Sequence, residues 1–289
     1  MANAYEIVAQ TIIKQLEEGT APWRKGWVSS GYKPLSLSSK KRYNGINHWL
    51  LSFSAEANGY NSPWWGTFKQ VKELGGIVRK GEKGTPVVLW KQVDSEDSDG
   101  KEKKAVIMRY FTVFNADQAD WETGAPKYEK PLARPQVEII AKAQEVMDNY
   151  FERELALSLK FGGDRAFYSP RLDSITLPEQ SAFTSDDEFY ATAFHEIAHS
   201  TGHESRLARE GVIENHYFGS ELYSEEELVA EFSSAFLSSE TGIAPSTLDN
   251  SASYIASWLK VLKNDPKMLI KAVGRAQKVA NYVLEGGGE

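Results

Sequence analysis

Residues His195-Glu196-Ile197-Ala198-His199 put two imidazoles four positions apart, with a carboxylate directly after the first. On a helix, residues i and i+4 share a face, so both imidazoles can reach one metal ion. This is the spacing of a zinc hydrolase helix. Glu196 then stands where a general base would take a proton from metal-bound water. The flanking residues support a helix over about 186–201. Asp186, Asp187 and Glu188 sit where a helix N-terminus favours acids. Phe189, Ala193, Phe194, Ile197 and Ala198 supply an apolar surface, and Gly202 a C-terminal stop.

A mononuclear zinc site takes a third protein ligand and keeps a position open. The candidates lie on a second helix, expected over about 224–240, where Leu228, Phe232, Ala235 and Phe236 recur on one side. Glu227 and Glu231 are one turn apart beside that stripe. One can bind the metal while the other accepts a hydrogen bond from a ligand histidine and fixes its tautomer. Helical geometry alone leaves the choice open, Glu231 lying nearer the stripe. Glu225 and Glu226 read as a solvated, charged first turn. His203 on a straight helix would stand about 12 Å from His195, and reads as a substrate-side or structural residue. His216, Tyr217 and Tyr223 lie between the two helices, and Tyr223 is the preferred donor to an oxyanion. A donor set of two His and one Glu suits Zn2+, and also Mn2+ or Co2+.

The helices that carry this chemistry belong to a chain of 289 residues, long enough for two ordinary domains. With no cysteine there are no disulfides and no thiolate metal sites, which suits a reducing compartment. Ala4 to Glu18 mixes charges with apolar residues and lacks the core of a signal peptide. No run approaches the ~18 apolar residues of a membrane span. The expected setting is cytoplasmic, with no membrane partner.

A linker is expected from about residue 116, where Pro126, Pro131, Pro135, a Gly and mixed charge accumulate. It divides a domain over 1–130 from one over 131–289. Before it, helices are expected over Ala4–Leu16, Asn47–Glu56 and Thr67–Leu74. Strands follow over Ile77–Lys91 and Ala105–Phe114, joined by a polar tip from Asp94 to Lys104. After it come a helix over Gln136–Glu154, a hairpin over Arg165–Leu177 around Pro170, the two candidate metal helices, and helices over Ser251–Leu262 and Asp265–Leu284. The fold class is α+β: an α+β domain followed by a mainly helical one.

The net charge of -7 hides an asymmetry. Residues 20–91 hold 12 Lys and Arg against 3 acids, and seven of the eight tryptophans precede residue 122. Cations neutralise phosphates, and flat rings stack on unpaired bases for about 1–3 kcal/mol each. The combination favours single-stranded DNA, since a duplex hides its base faces. Trp23, Arg24, Lys25 and Trp27 form a polar, basic loop suited to exposed stacking. Lys40, Lys41, Arg42, Lys69, Arg79, Lys80 and Lys83 are the further candidate DNA contacts. Trp49, Trp64 and Trp90 fit a domain core as well as a surface, and His48 reads as structural.

Four segments of the basic half, Tyr43–Asn47, Trp65–Gln70, Gly75–Gly84 and Val113–Gln118, resemble the N-terminal domain of ArdC-type antirestriction proteins and the matching region of TraC-type plasmid primases. Phe194–His203 and Glu226–Glu231 resemble the same family's zincin-like metallopeptidase domain. The resemblance implies single-stranded DNA binding, protection of incoming plasmid DNA during conjugation, and a metal-bearing C-terminal domain of gluzincin-like type. It carries the metal positions onto His195 and His199 and the catalytic glutamate onto Glu196. The order of acids in thermolysin-type zincins selects Glu227 as third ligand and leaves Glu231 to orient a histidine. A protein or peptide is the substrate class a peptidase domain would take, and the resemblance does not say what, if anything, this one cuts. The alternative reading is a non-catalytic, DNA-shielding protein with a structural metal site.

Overall fold

A computed structural model describes residues 33–96, 102–128, 136–213, 220–244, 258–260 and 262–285, with 10, 13, 14, 16 and 17. The chain forms two compact units, and the described residues 33–128 and 136–285 fall one in each.

In the first unit, helix α1 (Ile46–Asn58) buries Trp49, Leu50, Leu51 and Ala55. It packs on a four-stranded sheet of order β1-β2-β5-β4, built from Leu35–Ser36, Trp64–Thr67, Glu102–Asn115 and Thr85–Glu96. Trp65, Val87 and Val113 meet Leu51 and Ala55 in its core. Trp49 and Trp65 are fully buried, so these rings serve packing and not base stacking. The strand expected over Ile77–Lys91 is two strands. β3 (Gly76–Val78) ends before a turn through Gly81, whose φ of 92° is open to glycine at little cost. The hairpin of β4 and β5 runs to the pair Glu96–Glu102, so most of the expected polar tip is strand. Helix α2 (Phe68–Glu73) starts at a capping box. Thr67 N–H donates to Gln70 Oε1 at 2.9 Å, and the Thr67 hydroxyl accepts from Gln70 N–H.

Residues 116–121 are not linker. Ala116–Gln118 is a 3-10 turn, and Ala119–Trp121 (β6) pairs with β3. Asn115 and Gln118 are wholly buried and cap that turn reciprocally. Gln118 also donates to Glu82 and to the Lys83 carbonyl at 3.0 and 2.9 Å. Gln118 reads as linker because its partners are local backbone and a distant turn, which no hydrophobic pattern reveals.

The second unit takes in Thr11–Gly31 and then Pro131–Glu289, where α3 (Gln136–Arg153) comes first, close to expectation. A three-stranded sheet of order β7-β9-β8 follows, from Ser158–Phe161, Ser174–Leu177 and Phe167–Ser169. β8 and β9 form the expected hairpin, while β7 adds a parallel edge. Then come α4 (Asp186–Ser200), the short α5 (Glu210–Ile213), α6 (Glu221–Thr241) and α7 (Pro266–Glu285). α6 packs against both α4 and α7. Its Leu228, Val229, Phe232 and Leu237 are buried, as are Phe194, Ile197 and Ala198 of α4 and Val273, Ala276 and Val279 of α7. The helices expected over Ala4–Leu16 and Ser251–Leu262 lie largely outside the described residues. No described helix is long and apolar enough to cross a membrane.

Candidate metal centre

Two capped helices position the site. Ser185 accepts from Glu188 N–H at the start of α4, where Asp186, Asp187 and Glu188 complement the helix dipole. Ser220 accepts from Tyr223 N–H to start α6, which ends at Gly242 in a left-handed conformation, φ 103°. The Ser234 hydroxyl on α6 donates to the Ala191 carbonyl of α4 at 2.7 Å.

His195 and His199 project from α4 with their Nε2 atoms 3.1 Å apart and their rings edge to face. Glu227 reaches both, Oε2 lying 3.6 Å from His195 Nε2 and Oε1 3.6 Å from His199 Nε2. The three ligand atoms lie within 4.8 Å of one another. Bonds of about 2.0–2.1 Å at a tetrahedral angle separate ligand atoms by about 3.3–3.4 Å, so these three side chains lie close enough to hold one small divalent ion after a small adjustment. The other ring nitrogens face away. His195 Nδ1 lies 3.7 Å from Glu231 Oε1, and His199 Nδ1 lies 3.1 Å from Glu226 Oε1. Glu227 thus stands with the converging nitrogens and Glu231 behind a ring. His203 turns elsewhere, its Nδ1 on the Ser205 hydroxyl at 2.8 Å.

The centre is electrostatically polarised. Burial alone would lower the His195 pKa, but the Glu227 hydrogen bond and the charges of Glu231, Glu196 and Glu227 lift it to about 9. Burial alone would raise Glu227. The hydrogen bond from His195, the charges of both histidines and the Tyr223 hydroxyl outweigh it and bring Glu227 down to about 2. Glu227 therefore stays anionic, as a ligand must be. Glu196 is 8 % exposed, and its charge is one of those that lift the His195 pKa. The Tyr223 hydroxyl donates to Glu227, a different place from the oxyanion role expected of it. His216 and Tyr217 lie outside the described residues.

Two acids depart from expectation. Glu225 and Glu226 are not a solvated turn. Glu225 pairs with Arg275 on α7, and Glu226 is 5 % exposed beneath His199. Arg209, absent from the sequence reading, grips Glu226 with Nε on Oε2 at 2.9 Å and Nη2 on Oε1 at 2.6 Å. It also donates to the Thr201 hydroxyl and the Ala198 carbonyl, both at 2.7 Å. Consecutive helical residues point about 100° apart, so three acids in a row face three directions. That rotation was the available signal, and a lone arginine in a polar loop was not one.

Of the candidate DNA contacts, Lys40, Lys41, Arg42, Lys69, Lys80 and Lys83 are exposed on the first unit. Lys40 lies over the Trp64 ring, 4.7 Å from its centroid. Lys69 faces Glu73 at 3.6 Å. Arg79 is engaged within the fold, donating to the Asp117 carbonyl at 2.5 Å and pairing with Glu82 and Asp120. Trp23, Arg24, Lys25 and Trp27 lie outside the described residues, as does the Trp90 side chain. Tyr110 and Phe111 on β5 are exposed and add rings that the sequence reading did not single out.

Residues 2–114 match the family described as the N-terminal domain of anti-restriction factor ArdC, and residues 145–275 the family described as zincin-like metallopeptidase. A DNA primase TraC of Escherichia coli is 40% identical over 97% of this chain, which spans only 20% of that relative's length. The fold superposes on the metal-free structure of antirestriction protein ArdC from plasmid R388 with a TM-score of 0.75, at 38% identity, covering 98% of this chain and 97% of that one. The Mn(II)-bound structure of that protein matches with a TM-score of 0.75 at 36% identity, covering 98% of each chain. The two-domain chain belongs to the ArdC antirestriction family.

Proposed function

We propose that this protein binds single-stranded DNA through residues 1–130 and protects incoming plasmid DNA during conjugation. Residues 131–289 would form a metal-dependent peptidase domain acting on a protein or peptide, in the cytoplasm. The observation that carries the enzymatic half is the convergence of His195 Nε2, His199 Nε2 and a Glu227 carboxylate held anionic. Two imidazoles and one carboxylate suit Zn2+, and equally Mn2+ or Co2+. The Mn(II) in the related ArdC structure supports a divalent ion without selecting zinc.

When bound, such an ion supplies Lewis acidity to a peptide carbonyl and makes water acidic enough to react near neutral pH. The protein's own groups do the rest. Glu196, next to His195 on α4, would accept the proton of the attacking water and return it to the leaving amine. Tyr223 and Glu231 would steady the ligand side chains, the first on Glu227 and the second on His195. For the DNA-binding half, support comes from the exposed cations of the first unit and the family match.

Glu196→Gln tests the enzymatic half. The variant should keep metal content and DNA affinity but lose hydrolysis of an unfolded protein substrate by about 10²–10⁴-fold, the usual worth of a general base. Undiminished hydrolysis would reject the assignment of Glu196. Full antirestriction by an inactive Glu196→Gln protein would instead assign protection to DNA shielding.

A further inference from the structure

We infer that Glu226, locked by Arg209, is the positioning residue that fixes His199 with its proton on Nδ1 and presents Nε2 as the metal ligand. The inference rests on reading His195, His199 and Glu227 as ligands. Glu226 Oε1 lies 3.1 Å from His199 Nδ1, on the far side of the ring from Glu227. A carboxylate there can only accept, so the proton of a neutral His199 belongs on Nδ1 and the lone pair on Nε2.

The carboxylate itself is fixed. Arg209 meets both its oxygens, so the carboxylate is held in one orientation. Arg209 is in turn fixed by the Ala198 carbonyl and the Thr201 hydroxyl, one residue before and two after His199. The guanidinium thus ties the carboxylate to the same turn of helix that bears the ligand. The approach needs room: a Cβ on Gly202 would fall 2.9 Å from Arg209 Nη2, and one on Gly211 2.9 Å from Glu226 Cβ. With Glu231 behind His195, each imidazole has its own acid. Glu226 is itself clamped by a buried cation, Arg209 Nη2 lying 2.6 Å from Oε1.

A glutamine cannot replace it. Its single carbonyl oxygen cannot serve Arg209 Nη2, Arg209 Nε and His199 Nδ1, and its amide would face a donor with a donor. Zn2+ affinity of the full chain is measured by competition with a chelator for wild type, Glu226→Gln, Arg209→Lys and Glu227→Ala. Loss of an outer hydrogen bond to a ligand histidine weakens metal binding by about 10–100-fold, the result expected for Glu226→Gln, with Arg209→Lys falling between it and wild type. DNA affinity should be unchanged. Wild-type Zn2+ affinity in folded Glu226→Gln, with only apo stability reduced, would overturn the inference.

Should the variants not fold, the Zn2+-loaded wild type decides. Long-range 15N histidine spectra should show His199 protonated at Nδ1 and unprotonated at Nε2, and the reverse tautomer would overturn the assignment. If wild type binds no Zn2+, or Glu227→Ala binds it unchanged, the ligand reading itself fails and this inference with it. That outcome differs from a metal-binding wild type indifferent to Glu226.

Discussion

Arg206 and Asp173 pair inside the second unit, Nη1 lying 3.1 Å from Oδ2 while Nη2 meets Oδ1. The same guanidinium donates from Nε to the Ser200 carbonyl at 2.7 Å, so it caps the end of the helix that carries His195 and His199. Glu154 stands 3.6 Å away as a second counter-charge, and Tyr168 donates to Asp173 at 2.8 Å. The β8–β9 turn, the end of α3 and the end of α4 are thus tied to one buried cation.

Asp173→Asn should destabilise the second unit by about 3 kcal/mol, the low end for breaking a buried pair, because Glu154 remains. Asparagine tolerates the left-handed backbone here, φ 40°, so the loss reports charge and not strain. The pH response follows from the Asp173 pKa. Burial raises it, but the Arg206 and Tyr168 hydrogen bonds and the charges of Arg206 and His203 more than offset that and lower it. A carboxyl whose folded pKa lies below its unfolded value stabilises fully above the unfolded value, about 3.9, and loses that contribution as pH falls through the folded one. The difference in melting temperature between wild type and Asp173→Asn should therefore hold from pH 7 to about 5 and close below about 4. A difference that persists undiminished at pH 2 would contradict it.

The loop between the two metal helices carries opposing demands at Gly202 and Ala208. A Cβ on Gly202 would come 2.4 Å from Val212 and 2.9 Å from Arg209, so Gly202→Ala should cost about 1–3 kcal/mol, as overpacking does. Its role is close approach, and Thr201 is the residue that ends the helix. Ala208 sits at φ 47°, where a side chain is disfavoured. Ala208→Gly should accordingly stabilise by about 0.5–1 kcal/mol. Denaturant melts of the two variants, moving in opposite directions, check both.

The H-E-x-x-H helix and its partner were legible in the sequence because metal chemistry and helical period coincide there. His195 and His199 needed only i and i+4 geometry, while Glu227 over Glu231 needed the order of acids in thermolysin-type zincins, helical geometry leaving the two open. Arg209 and Glu226 did not show, because a buried ion pair formed by residues 17 apart leaves no periodic trace, and an acidic triplet reads as solvent-facing. Likewise Gln118 passed for linker, since a buried amide that satisfies backbone groups has the composition of a loop. The parallel edge strand Ser158–Phe161 was missed for a different reason. It is exposed along much of its length and lacks clean alternation.

The exposed cations of the first unit should divide by function. Arg79 is committed to Asp117, Glu82 and Asp120, so Arg79→Ala should lower stability more than it alters the salt dependence of DNA binding. Lys80 and Lys83 are exposed. Each that contacts a phosphate should, when changed to Ala, reduce the slope of log affinity against log salt by about 0.7 on single-stranded DNA. Fluorescence anisotropy with a labelled oligonucleotide across a salt series measures this. Unchanged slopes in the double variant would remove both lysines from the interface.

Metal removal should act on one unit only. A ligand at 100 times its dissociation constant stabilises the state that binds it by about 2.7 kcal/mol. With His195, His199 and Glu227 on α4 and α6, that gain belongs to the second unit, whose core those helices form. A chelator should therefore lower one thermal transition of the full chain and leave the other in place. Glu227→Ala should make that transition indifferent to both chelator and added Zn2+. Calorimetric scans with and without chelator separate the two transitions. A chelator effect that survives in Glu227→Ala would place the responsive metal somewhere other than these three side chains.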